Sequence, residues 1–122
     1  MLCHKDLNQK EVVLLTTKLR LLADDVGLRA CEVEILVGVC AGSWPFSEEF
    51  ADQWHPTEVQ ERRLRMLLEV CQSAILLLDA NTALWMDETN VALGVSPRGF
   101  LLGEFDALPA LRDALRSEVW RM

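Results

Sequence analysis

The side chains of this chain that could take part in catalysis or metal binding are two histidines, four cysteines and several adjacent acids. His4 and His55 are far apart, and no ligand spacing joins them to Cys3, so the sequence predicts no metal site. No serine or cysteine has a general base beside it, and no glycine-rich phosphate loop is present. The two acids of each acidic pair are consecutive in the sequence, so their carboxylates do not lie on one helical face. This spacing indicates that they are solvated. The residues therefore predict no catalysis and no cofactor.

The cysteines have the wide, irregular spacing of thiols that do not pair. No CxxC motif occurs, and three of the four fall on apolar helical faces. The sequence predicts free, mostly buried thiols at Cys3, Cys31, Cys40 and Cys71.

The composition is that of a small soluble protein. At 122 residues and 51% apolar content, the chain can form one domain, or two helical pieces that share a core. No apolar run reaches the roughly 18 residues of a membrane span, and the first residues are too charged for a signal peptide. We expect a cytoplasmic protein without membrane contact.

The negative charge is spread over the whole chain. The formal net charge is −7, with five basic and nine acidic residues in 1–57 and seven basic and ten acidic residues in 58–122. Because DNA binding draws on phosphate neutralisation, this balance disfavours a strong DNA binder and suits a basic protein partner.

The helices that must position any site are organised around the stretch from Thr57 to Asp79. Thr57 and Gln60 have the spacing of a capping box, which predicts a helix start. Beyond Arg65 the apolar residues cover well over half of the helical circumference, so we expect this central helix to be surrounded by others. Its charged first turns should meet solvent or a charged partner.

The preceding region has the outline of a helix-turn-helix. Asn8 is a candidate N-cap, apolar residues then recur every three or four positions, and Gly27 is a likely C-cap. A second short helix follows and stops between Gly38 and Gly42. Ala23, Gly27 and Val33 match the places that hold repressor-type helix-turn-helix pairs together.

Two interpretations of this hairpin remain open. As a DNA reader, it would present the exposed residues of its second helix to the major groove. These residues are Arg29, Ala30, Glu32 and Glu34, which is a poor set for approaching phosphates. The alternative is a helical hairpin that packs or dimerises.

An aromatic connector spans residues 40–56. It contains two prolines and the aromatics Trp44, Phe46, Phe50 and Trp54. Such a segment is typical of a lid that seals a core, although tryptophans also favour a protein-binding patch.

The last third of the chain alternates short helices with turns. Asn81 can cap a short helix that includes Trp85, and Ser96-Pro97 is a good helix start. Gly103 ends that helix, and Asp106 can cap a final amphipathic one. Its predicted buried stripe consists of Leu108, Leu111, Leu115 and Val119.

Residues 57–119 resemble the C-terminal toxin-binding domain of antitoxins of the Xre/MbcA/ParS class. That family has a long arginine-containing apolar helix, a tryptophan, an N-x-A-L-G turn, a proline that opens a short helix, and a closing amphipathic helix. The matching positions are Arg62 to Leu78, Trp85, Asn90, Ala92, Leu93, Gly94, Pro97, Leu101 and Gly103 through Leu115. In the family a helix-turn-helix precedes this domain.

The resemblance implies an all-α protein in two parts. Residues 1–56 would form the helix-turn-helix-like region with its connector, and 57–122 the toxin-binding domain around the long central helix. It further implies a chain that neutralises a RES-domain toxin, which consumes NAD or transfers ADP-ribose, by covering its active-site cleft. Family members tend to form homodimers and to repress their own operon, so a dimeric DNA-binding regulator is the alternative function.

Within the resemblance, the motif residues have structural roles and other residues would contact the partner. We expect Trp85 to anchor the core, Asn90 and Gly94 to shape the turn, and Leu93 and Pro97 to belong to the same corner. The exposed candidates for partner contact are Arg98, Glu104, Asp106, Arg112, Arg116 and the tail Trp120, Arg121 and Met122. The tail could plug a nucleotide cleft in the toxin, or it could pack against the N-terminal helix of its own chain.

Overall fold

The fold is all-α, as predicted. The computed structural model describes residues 9–40, 42, 54–89, 93–103 and 107–117, and within these it contains six α-helices and no strand. The helices are α1 (Gln9–Val26), α2 (Ala30–Val37), α3 (Glu58–Leu78), α4 (Thr82–Asp87), α5 (Pro97–Gly103) and α6 (Ala107–Ser117), with a 3-10 turn at Asp79–Asn81 between α3 and α4. In this described part, no helix is long and apolar enough to cross a membrane.

Helix α3 is the central element. The predicted capping box starts it: the Gln60 N–H donates to Thr57 Oγ1 at 3.1 Å, and the Thr57 N–H donates to Gln60 Oε1 at 2.9 Å. Helices α1, α2 and α6 all pack along α3. Its buried residues are Leu64, Leu67, Leu68, Val70, Cys71 and Ala74.

The expectation that α3 is surrounded is wrong on one side. Leu76 lies within the apolar run, yet 84% of its surface is exposed. Val59 near the other end is 57% exposed. A run that is apolar all round does not show which side faces the core, and here one side stays uncovered.

Glycines end both N-terminal helices where the sequence predicts. Gly27 has φ 86° directly after α1, and Gly38 has φ 94° directly after α2. Both values lie in the left-handed region that glycine adopts without steric cost. The predicted cap Asn8 lies outside the described residues. The two helices pack mainly on α3 rather than on each other, so they diverge from the turn at Gly27.

The charged beginning of α3 meets the carboxyl end of α2. Gln60 Nε2 donates to the Gly38 carbonyl at 3.1 Å, and Arg63 Nε donates to the Leu36 carbonyl. The last carbonyls of a helix lack intrahelical partners and carry partial negative charge, which favours donors and cations there. These two contacts fix α2 to α3.

The hydrophobic core joins both halves of the chain. One cluster of buried side chains includes Leu19 and Val33 from the N-terminal helices and Leu67 and Leu111 from the C-terminal ones. Trp54, at the end of the connector, is half-buried and packs against this cluster, as a lid residue would. The other connector aromatics lie outside the described residues. The division predicted near residue 57 is therefore not a division of the core.

Helix α6 closes the core over α3. Leu108, Leu111 and Leu115 are at most 2% exposed, which confirms the predicted stripe as far as Ser117. Val119 lies outside the described residues.

Candidate protein-binding site

The site with the best-defined geometry is the corner formed by α4, the turn that contains Gly94, and α5. Thr82 Oγ1 at the start of α4 donates to the Asp79 carbonyl at 2.7 Å, which fixes how α4 leaves α3. Trp85 and Met86 face inwards and are 8% and 1% exposed. The predicted role of Trp85 as a core anchor agrees with this burial.

The second side of the corner starts at Ser96 and Pro97, as predicted. Ser96 Oγ accepts the Gly99 N–H at 3.0 Å, and the Ser96 carbonyl accepts the Phe100 N–H at 2.8 Å. Pro97 is buried at the first position of α5, where its missing N–H costs nothing. Gly94 has φ 78°, the conformation predicted for the turn residue. Leu93 is half-buried against the core, and Asn90 lies outside the described residues.

Arg98 in α5 binds three separate elements at once. Its Nη2 donates to the Gly27 carbonyl at 2.6 Å, and its Nη1 pairs with Glu32 Oε1 in α2. Its Nε donates to Asp87 Oδ1, the last residue of α4, at 2.7 Å. One guanidinium thus connects the α1–α2 turn, the first turn of α2 and the end of α4. We call this cluster the Arg98 clamp.

The Arg98 clamp shifts the ionisation of its members in favour of the charged forms. The hydrogen bond from Arg98, helped by the charges of Arg98 and Arg29 and opposed by partial burial, holds the pKa of Asp87 below its usual value. The same bond to Asp87, together with Glu32, raises the pKa of Arg98. Both shifts favour the charged forms of Asp87 and Arg98 at neutral pH.

The predicted exposure of Arg98 is wrong, and its contact with a partner stays a prediction. Its side chain is only 21% exposed, and its donors bond to the chain itself. In the sequence, Arg98 lies at the predicted start of a short helix, where an arginine usually faces solvent. The acids that it binds lie in segments far away along the chain.

The predicted exposure of the acids in α2 is also wrong. Glu32 is 8% exposed, because it pairs with Arg98 and accepts the Arg29 N–H at 2.8 Å. Glu34 is 5% exposed and accepts the Gly42 N–H at 2.8 Å. Glu32 thus cannot face a DNA groove as proposed for a recognition helix. Arg29 is exposed and Ala30 is half-buried, and DNA binding stays a prediction.

Two predicted partner-binding arginines lie on the surface of α6. Arg116 is 57% exposed and forms a bidentate pair with Glu69 of α3, with Nε–Oε2 at 2.6 Å and Nη2–Oε1 at 2.9 Å. Arg112 is 25% exposed and pairs with Asp113 at 3.1 Å. The other predicted contacts lie outside the described residues: Glu104, Asp106, Trp120, Arg121 and Met122.

The sequence analysis missed the exposed apolar side chains beside the corner. Leu84 in α4 is 63% exposed, Val95 in the turn is 44% exposed, and Leu102 in α5 is 39% exposed. One signal was available for Leu84. It precedes Trp85 and Met86, and consecutive helical residues cannot all face one core.

Within residues 9–40, 42, 54–89, 93–103 and 107–117, no group of three or more His, Cys, Asp or Glu side chains could hold a metal ion. Burial raises the pKa of the Cys71 thiol to about 12, so this sulfur is protonated and inert at neutral pH. Cys31 and Cys40 are free thiols as predicted, but they are exposed rather than buried.

Comparisons with known proteins leave the family open. No protein-family model and no curated protein matches the chain.

Proposed function

We propose that this chain is an antitoxin-like interaction protein that binds and neutralises a RES-domain toxin through its C-terminal helices. The resemblance of residues 57–119 supplies the kind of partner. The geometry of the corner between α4 and α5 supplies the observation that carries the proposal. A tightly fixed corner there displays apolar side chains to solvent.

The Arg98 clamp makes the corner suitable for docking. Arg98 holds α5 to the end of α4 and to the α1–α2 turn, so the two helices are held in place before a partner arrives. A preformed surface loses less conformational entropy on binding than a mobile one. More of the interaction energy then appears as affinity for the partner.

The chemistry of the exposed side chains fits a protein partner. Leu84, Val95 and Leu102 supply apolar area, and the centre of a protein interface is depleted of charge and rich in such contacts. The net charge of −7 favours a partner with a basic surface. Arg112 and Arg116 on α6 would contribute at the rim, where charges affect association rate and orientation more than affinity.

The direct test uses a purified RES-domain toxin, and the reading frames beside the gene for this chain are the first place to look for one. Leu84→Asp and Leu102→Asp should each weaken binding about tenfold or more, since each places a charge in a desolvated interface. Val59→Asp is the matched control, because Val59 is 57% exposed on α3. Binding is measured by titration calorimetry, and neutralisation by the NAD consumption of the toxin. Equal affinity of all three variants would overturn the assignment of the corner.

The predicted tail contact needs its own variant. Deleting residues 120–122 should weaken toxin binding if Trp120, Arg121 and Met122 plug the nucleotide cleft. Unchanged binding would remove that part of the proposal and leave the corner as the docking face. The absence of any RES-domain partner would remove the antitoxin assignment altogether.

A further inference from the structure

The junction between α3 and α4 contains a residue with a strained backbone. Asp79 directly follows α3 and has φ 52° and ψ −122°. In this region of φ and ψ a side chain clashes with the backbone, so glycine normally occupies it. Glycine does fill the equivalent positions after α1 and α2, where Gly27 and Gly38 have positive φ. In the part of the chain that the structure describes, Asp79 is the one non-glycine residue with positive φ.

On both sides of Asp79 the backbone is helical. Leu78 has φ −115° and ψ −19°, and Thr82, after the 3-10 turn, has φ −60° and ψ −43°. The sequence from Glu58 to Asp87 contains no glycine or proline that would interrupt a helix. A rotation of the Asp79 backbone into the right-handed helical region would therefore join α3 and α4 into one helix, about 45 Å long at about 1.5 Å per residue.

The contacts of α4 hold the junction bent against this strain. Thr82 Oγ1 donates to the Asp79 carbonyl at 2.7 Å, which fixes the first turn of α4. Trp85 and Met86 are buried in the core, and Arg98 holds the last residue of α4. The bent form is therefore the ground state, and the straightened form is a minor state.

We propose that Asp79 is a strained hinge on which α4 swings away from α3 as an intact helix. The strain is present in the bent form and absent when α4 continues α3, so it raises the open population about tenfold over that of a glycine hinge. Asp79 is exposed, so its backbone can rotate without displacing a packed side chain. The open form brings Trp85 and Met86 into solvent.

The hinge has a consequence for docking that rests on the proposed function. The proposed docking face needs Leu84 on α4 and Leu102 on α5 side by side, and only the bent form presents them together. A partner bound at the corner therefore holds the hinge bent, because a ligand shifts the population toward the form that it binds.

The first test measures how often α4 leaves the core. Met86→Cys places a thiol at a position that is 1% exposed, and peptide mapping separates its alkylation from that of the native cysteines. Urea denaturation of the same variant gives the population of the unfolded chain. The thiol should react about tenfold faster, or more, than this unfolded population allows, because the swing of α4 exposes it without global unfolding.

The second test changes the hinge itself. Asp79→Gly relieves the strain of the bent form and should slow alkylation of the new thiol about tenfold. Asp79→Ala keeps the strain but favours the continuous helix, so it should speed alkylation about threefold.

A matched control separates the hinge from the general effect of glycine on a helix. Gln72 is exposed inside α3, so Gln72→Gly should lower the urea midpoint. Asp79→Gly should raise the midpoint, because relief of strain outweighs the added freedom of the unfolded chain. This comparison uses the chain without the new thiol, so it also holds if Met86→Cys does not fold.

Three results would overturn the proposal. Alkylation no faster than global unfolding would show that α4 leaves the core only when the whole fold is lost. An unchanged alkylation rate in Asp79→Ala would show that α4 unravels rather than swings out as a helix. A urea midpoint lowered in Asp79→Gly as in Gln72→Gly would show that Asp79 is not strained. None of these measurements involves a toxin, so the hinge and the proposed function can fail separately.

Discussion

Replacing Arg98 by methionine should destabilise the fold more than any other single change to a partly exposed charge. Methionine keeps an unbranched apolar side chain but removes the donors to Gly27, Glu32 and Asp87. The Glu32 carboxylate, 8% exposed, then loses its counter-charge. Hydrogen bonds to charged groups contribute about 1.5–3 kcal/mol, and breaking a buried pair costs about 3–5 kcal/mol. Because Arg98 keeps some exposure, we expect a loss of about 3 kcal/mol in the free energy of unfolding.

This loss in the free energy of unfolding should also lower the melting temperature. The entropy of unfolding of a 122-residue domain makes 1 kcal/mol equal to about 4 °C, so the melting temperature should fall by about 12 °C. Urea denaturation followed by circular dichroism measures the free energy independently.

A double-mutant cycle with Glu32→Gln identifies the cause. Glutamine can still accept the Arg29 N–H but carries no charge, so it should rescue part of the loss, with a coupling energy above about 1 kcal/mol. The control is Arg65→Met. Arg65 is 50% exposed in its pair with Glu61 four residues away, and its loss should cost at most about 0.5 kcal/mol. The stabilising role of the Arg98 clamp is refuted if Arg98→Met lowers the free energy of unfolding no more than Arg65→Met does. A coupling energy near zero between Arg98 and Glu32 would refute it as well.

Other predictions concern the core, acid stability, thiol chemistry and a helix end. Trp85→Ala should cost about 3–5 kcal/mol in urea denaturation, because it empties a site that is 8% exposed. The depressed pKa of Asp87 contributes stability that is present above the usual pKa of about 4 and is lost as pH falls through the folded-state value, so Asp87→Asn should flatten the pH dependence of melting below about pH 4. At pH 8 an alkylating reagent should modify exposed Cys31 quickly and Cys71, with a pKa of about 12, only on unfolding, as peptide mapping would show. Gly38→Ala should cost about 1–2 kcal/mol in denaturant, from the backbone alone, since φ is 94° and nothing lies within 4 Å of an added Cβ.

Local signals in the sequence predicted three helix ends, although Asn81 makes no side-chain capping bond at the start of α4. Thr57 and Gln60 form their capping box, and Gly27 and Gly38 end α1 and α2 with positive φ. These features depend on residues within one turn of each other, so the physics that forms them is present in a short window of sequence.

Long-range pairing could not be predicted in the same way. Arg98 binds Gly27 and Glu32, which are 71 and 66 residues away along the chain. The sequence analysis therefore placed both Arg98 and Glu32 in solvent, where most charged residues lie. The open side of α3, by contrast, is indicated locally, because Leu76 lies on one helical line with Arg65, Glu69 and Gln72.

The sequence predicted the structural residues of the candidate site but not its exposed surface. Trp85 was predicted to anchor the core and Pro97 to start a helix; α5 begins at Pro97, and both residues are buried. The apolar side chains that the corner exposes were not singled out, because exposure depends on how α4 and α5 tilt against the core. The contact of Arg98 with Asp87, which joins the two helices, was not revealed by the sequence either.

The junction of α2 with α3 determines which segments of this molecule unfold together. An eight-residue helix is too short to persist by itself, so α2 exists only while its neighbours hold it. Gln60 and Arg63 hold its carboxyl end, and both belong to the first turns of α3. Fraying of those turns therefore releases α2 as well, and hydrogen exchange of the amides in the two segments should report one shared free energy of opening. The start of the longest helix and the whole of the short one thus behave as a single cooperative unit.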